Sequence, residues 1–74
     1  MKLQAVGNKI VVNTGKAIDK VRGERRENVG VVESIGDDVT FVKVGQKIMF
    51  EGALAATLDG YITDESNVMA ILYE

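Results

Sequence analysis

The chain has 74 residues, 46% of them hydrophobic, and a formal charge of −2 from nine Lys and Arg against eleven Asp and Glu. A chain this short buries only about 60% of the surface its unfolded form exposes, so one domain (1–74) with a thin core is the expectation. Cysteine and histidine are both absent, which excludes disulfide staples, Cys/His metal centres and the commonest general bases and soft nucleophiles, and leaves self-association as the expected extra support.

Glycine recurs at 7, 15, 23, 30, 36, 45, 52 and 60, a spacing that suits short strands separated by turns. The first expected strand is Lys9 to Asn13 (KIVVN), rich in β-branched residues. Thr14 to Asn28 (TGKAIDKVRGERREN) then breaks the pattern. Residues 16 to 28 hold five basic side chains (Lys16, Lys20, Arg22, Arg25, Arg26) and three acidic ones, so this segment is cationic while the rest of the chain, with four basic and eight acidic residues, is acidic.

Val29 to Ile35 (VGVVESI) reads as the second strand, with Val31, Glu33 and Ile35 on one face and Val32 and Ser34 on the other. Gly36-Asp37-Asp38 reads as a tight turn, the glycine supplying a positive φ and the aspartates accepting from nearby amides. Thr40 to Val44 (TFVKV) and Lys47 to Glu51 (KIMFE) read as further strands, the latter placing Ile48 and Phe50 together on the core side. Phe41 and Phe50 are both expected in the core. Gly52 to Leu58 (GALAATL) reads as strand or loop. Thr63 to Asn67 reads as one helical turn capped by Thr63, with two carboxylates at its positive end, and Val68 to Tyr73 as the last strand. These pieces predict an all-β fold: a small antiparallel barrel, partly open and SH3- or OB-like, whose closure protects strand edges.

Nothing in the chain reads as catalytic machinery, and no enzymatic activity is expected. Asn13-Thr14-Gly15-Lys16 resembles the end of a phosphate loop, but Gly7 and Gly15 are too far apart and Ala17 follows the lysine, so it reads as a turn. Asp37-Asp38 and Asp64-Glu65 lack calcium-loop spacing; no metal and no cofactor is expected. No stretch has signal-peptide character and no apolar run approaches ~20 residues, which predicts a soluble, cytoplasmic protein.

The order of elements from Ala5 onward resembles the GroES family of co-chaperonins, and within it the short phage-encoded type. The residues that carry the resemblance are Ala5 to Val12 (AVGNKIVV), Val29 to Gly36 (VGVVESIG), Val44-Gly45-Gln46-Lys47-Ile48-Met49-Phe50, which fits the V-G-[DQ]-x-[IV]-x-F pattern, and the acidic-serine turn with its strand, Glu65-Ser66-Asn67-Val68-Met69-Ala70-Ile71-Leu72. The resemblance implies a GroES-like barrel in a homo-oligomeric ring, sevenfold in the family, that caps a chaperonin and assists protein folding in the cytoplasm. It implies that the 14–28 segment is the loop that docks on the chaperonin, through Ile18, Val21, Arg22, Arg25 and Arg26. It also implies a subunit interface between the C-terminal strand and a neighbour's first residues, involving Leu3, Ala5, Val68, Ala70, Leu72 and Tyr73. Two departures stand out: Ile18 and Val21 are split by Asp19 and Lys20 where the family carries a compact apolar tripeptide, and the direct turn through Gly36 to Thr40 replaces a longer hairpin, which implies an open roof.

The alternative is a phage structural protein, a capsid decoration or cement subunit found in the virion, that keeps the barrel, lacks folding activity and clamps an acidic partner with its arginines. A nucleic-acid contact is disfavoured by the acidic body.

Overall fold

The computed structural model describes residues 3–15 and 28–73. It is a single antiparallel sheet of six strands: β1 (Lys9–Asn13), β2 (Val29–Ile35), β3 (Lys47–Phe50), β4 (Ala55–Ala56), β5 (Gly60–Asp64) and β6 (Val68–Leu72), in the order β4-β5-β1-β2-β3-β6. The small all-β fold expected from the sequence is what the chain forms. Among the described residues no ladder joins β4 to β6, so the sheet curls without being sealed by hydrogen bonds.

The curl has a covalent cause. β3 runs through Glu51–Leu54 into β4, and β5 runs through a 3₁₀ turn (Glu65–Asn67) into β6, so the two ends of the sheet are halves of one bent hairpin. The Glu51 amide donates to Asn67 O and the Leu54 amide to Ile62 O, each at 2.8 Å, which keeps the halves paired through the bend. Gly52, at φ +84°, takes the corner in a conformation that favours glycine. Thr63 is fully buried and its hydroxyl donates to Gly52 O at 2.9 Å, so the expected helix cap is instead a brace for this corner; the 3₁₀ turn begins after Asp64 without a side-chain cap.

Inside the curl lie Ile10, Val12, Val32, Val42, Ile48 and Phe50, joined by Ile35, Val39, Tyr61, Val68 and Ile71. The Phe50 and Tyr61 rings, from strands that are not neighbours in the ladder, meet with centroids 6.3 Å apart. Ile48 and Phe50 share the core face as their alternation predicts.

β2 departs from simple alternation. Val32 pairs with Val12 and Ser34 with Val11, leaving Glu33 without a partner as a bulge. The extra residue brings Ile35 onto the core side with Val32, not onto the side of Val31 as strict alternation requires. β6 repeats the device: Val68 pairs with Phe50 and Ala70 with Met49, Met69 bulges, and Val68 and Ile71 both reach the core.

Two other expectations are corrected. Thr40 to Val44 forms no strand, because Glu65 takes the amides of Thr40 and Phe41 at 2.7 and 2.8 Å and the Lys43 amide turns to Gln46 Oε1. Only Val42 of this stretch is buried; Phe41 is 50% exposed and lies outside the core. Gly36 does not have a positive φ; a side chain there would collide with Gly7 O, so glycine is required by close approach, and the turn's Asp38 amide is held by Gly7 O at 2.8 Å.

Candidate functional site

The loop residues singled out in the sequence, Ile18, Val21, Arg22, Arg25 and Arg26, lie outside the described residues. Their attachment points are well defined. β1 ends at Asn13, whose Oδ1 accepts the Gly15 amide at 2.9 Å, and the Thr14 and Gly15 amides both donate to Asp59 O. On the return side, Asn28 O accepts the Phe50 amide at 2.8 Å. The segment therefore departs beside the β4–β5 turn, where Leu58 is 98% exposed.

The residues expected at a subunit interface separate into two groups. Leu3, Ala70, Leu72 and Tyr73 are exposed, Tyr73 to 81%, so Tyr73 is not part of the intrachain core. Ala5 is buried in its own chain with its amide on Ser34 Oγ at 3.0 Å, and Val68 packs against the core. Leu3 to Val6 form no strand. β6 is hydrogen-bonded to β3 on one side and is terminal in the sheet order on the other. Across the outer face Val31, Lys47 and Leu72 stand in one row, lining with Ile71 and Tyr73 a groove of about 430 Å³.

A second groove, of about 400 Å³, lies at the hairpin corner between Asn28, Phe50, Glu51, Ala53, Tyr61 and Met69. The sequence reading missed this side. Its signal was GALAATL itself: seven uncharged residues between Glu51 and Asp59, of which all but Thr57 are exposed.

Charge at the far end serves structure. Asp64 Oδ1 meets Lys9 Nζ at 3.0 Å, and Glu65 holds the Thr40–Phe41 loop with a bifurcated carboxylate. Desolvation pushes the Glu65 pKa up, but the amides of Phe41 and Thr40, the Thr40 hydroxyl and the Val42 amide pull it further down, leaving it below the ordinary glutamate range. Among the described residues no three carboxylates gather as metal ligands, and no helix is long and apolar enough to cross a membrane. The chain matches no known protein-family model and no curated protein.

Proposed function

We propose that this protein is a co-chaperonin-like ring subunit that assembles through β6 and presents its 14–28 segment to a chaperonin. The observation that carries the reading is the edge of β6, which among the described residues is paired on one side only, with Leu72 and Tyr73 exposed beside it and a groove behind. A terminal strand with its amides and carbonyls unmet is a template for another chain, and a closed ring of identical subunits satisfies every such edge at once. The cationic segment supports the second half. Anchored at both ends by backbone bonds to Asp59 and Phe50, it leaves each subunit from one place, so a ring would present its copies together. Two apolar side chains such as Ile18 and Val21 contribute about 1.5–3 kcal/mol each on burial, too little for one segment alone, and simultaneous engagement of several copies supplies the remainder.

The test is the mass of the native assembly, followed by capture. A ring is expected for the wild type and dissociated subunits for Leu72→Asp with Tyr73→Asp; a wild-type monomer rejects the proposal. With the ring intact, Ile18→Asp with Val21→Asp is expected to abolish nucleotide-dependent capture by a chaperonin, and undiminished capture rejects the segment as the docking arm.

A further inference from the structure

Asp59-Gly60 is the only Asp-Gly step in the chain, and Asn-Gly does not occur. Such a pair is an ordinary turn signal where its glycine takes a positive φ, but Gly60 does not. It is glycine for another reason: first in β5 and opposite Asn13 of β1, it is pressed so closely on Val12 O that a Cβ would collide there. Asp59 therefore has beside it a backbone nitrogen that no side chain shields. The bend at Leu58 and Asp59 leaves the aspartate exposed. Its main-chain carbonyl accepts two amides, from Thr14 at 3.1 Å and Gly15 at 3.2 Å, and the Gly60 amide donates to Thr57 Oγ1 at 2.9 Å. Hydrogen bonds at both ends polarise this peptide group. Electrons drawn toward the carbonyl oxygen make the Gly60 N–H easier to deprotonate.

We propose that Asp59-Gly60 is a self-modifying site, at which the aspartate rearranges to an isoaspartyl link and so unties the end of β1 from the β4–β5 turn. In the first step Gly60 N gives up its proton to solvent and attacks Asp59 Cγ. A C–N bond forms, the Cγ–OH bond of the carboxylic acid breaks, and the departing hydroxyl leaves as water, giving a succinimide. In the second step a water adds to the ring. Opening at Cγ restores Asp59; opening at the main-chain carbonyl sends the chain through Cβ and Cγ and leaves a free α-carboxylate. No oxidant, reductant or cofactor takes part, and the net change in mass is zero. The product carries an extra main-chain atom just ahead of Gly60, where the contact with Val12 O leaves no slack. The carbonyl that received the Thr14 and Gly15 amides no longer belongs to a peptide bond.

The experiment incubates the folded, full-length protein in warm neutral buffer and follows it by peptide mapping. Trypsin leaves 48–74 as one peptide, which carries Asp59 and Asp64 together, and electron-transfer fragmentation tells isoaspartate from aspartate at each. Isoaspartate is expected to accumulate at 59 several-fold faster than at 64. In the isolated isomerised form the Thr14 and Gly15 amides are expected to exchange with deuterium several-fold faster than before, while the amide of Ile48, fully buried in β3, keeps its protection. Asp59→Glu keeps the carboxylate at an exposed position but has to close a larger ring, and is expected to age with neither change. Isoaspartate at 59 no faster than at 64, isoaspartate at 59 only in the urea-unfolded chain, or an isomerised form whose Thr14 and Gly15 amides exchange as before overturns the proposal. Every readout belongs to the single chain, so a monomeric protein leaves the inference standing.

Discussion

Phe50 and Phe41 are chemically identical and stand nine positions apart, and a pattern of alternating residues treats both as core. The structure separates them: Phe50 is 2% exposed and packs against Tyr61, whereas Phe41 is 50% exposed on a loop held by Glu65. Phe50→Ala removes a buried ring and its packing and is expected to cost about 3–5 kcal/mol. A domain of 74 residues has roughly 0.05–0.15 kcal/mol of stability per residue, so that loss consumes about a quarter or more of the total. Phe41→Ala removes about half of a transfer contribution of 1.5–3 kcal/mol, and solvent fills the space, so about 1 kcal/mol is expected. Urea unfolding monitored by far-UV circular dichroism, repeated at several protein concentrations so that association does not enter, measures both values. A double-mutant cycle with Tyr61→Leu is expected to recover about 0.5–1.5 kcal/mol of coupling to Phe50 and none to Phe41. Equal costs for the two alanine variants would refute the placement of Val39–Val44 as a loop over the core.

Gly36→Ala puts a methyl into Gly7 O and is expected to destabilise by about 1–3 kcal/mol; an unchanged urea midpoint would refute the close approach. Glu65 has a folded pKa below its unfolded one, so its contribution is present at neutral pH, persists above the unfolded value, and is lost as pH falls through the folded value. Glu65→Gln should therefore lower the melting temperature at pH 7 and converge with the wild type under acid, and parallel curves would refute the clamp.

Four strands were legible in the sequence from their composition and their bounding turn residues: Lys9–Asn13 and Val29–Ile35 appear with the expected bounds, and Lys47–Phe50 and Val68–Leu72 each end one residue sooner. What sequence could not show depends on partners far along the chain. Thr40–Val44 has strand composition, but its amides are taken by Glu65, 24 and 25 residues away, so local preference yields to a long-range hydrogen bond. Thr63 has the chemistry of a cap and is spent on Gly52 O, because a bent hairpin brings that carbonyl over it. β5 (Gly60–Asp64) escaped the reading because its inward residues, Tyr61 and Thr63, are less apolar than a core pattern demands. At the surface the legible part was charge, which marked 16–28, whereas the β4 edge became visible only once β4 took the last place in the sheet.

The two bulges set which side chains of β2 and β6 reach the core. Glu33 lies past the last residue of β2 that pairs with β3, and its removal would leave Ile10 opposite Ile35 and Val12 opposite Val32 in an unbroken ladder. Among the described residues the deleted side chain makes one exposed hydrogen bond, accepted from Asn13 Nδ2 at 3.3 Å. Deleting Glu33 is therefore expected to leave a folded protein, with a loss within about 2 kcal/mol. Val31 pairs on both sides, with Asn13 and with Lys47. Its deletion forces one of the two ladders to slip by a residue, and a slip of one turns the slipped strand's core side chains toward solvent. Far-UV circular dichroism with urea titration distinguishes the two single deletions, one expected to unfold cooperatively and the other to show no native baseline. If removing Glu33 were as disruptive as removing Val31, the bulge would be holding the register itself and not only the phase of Ile35.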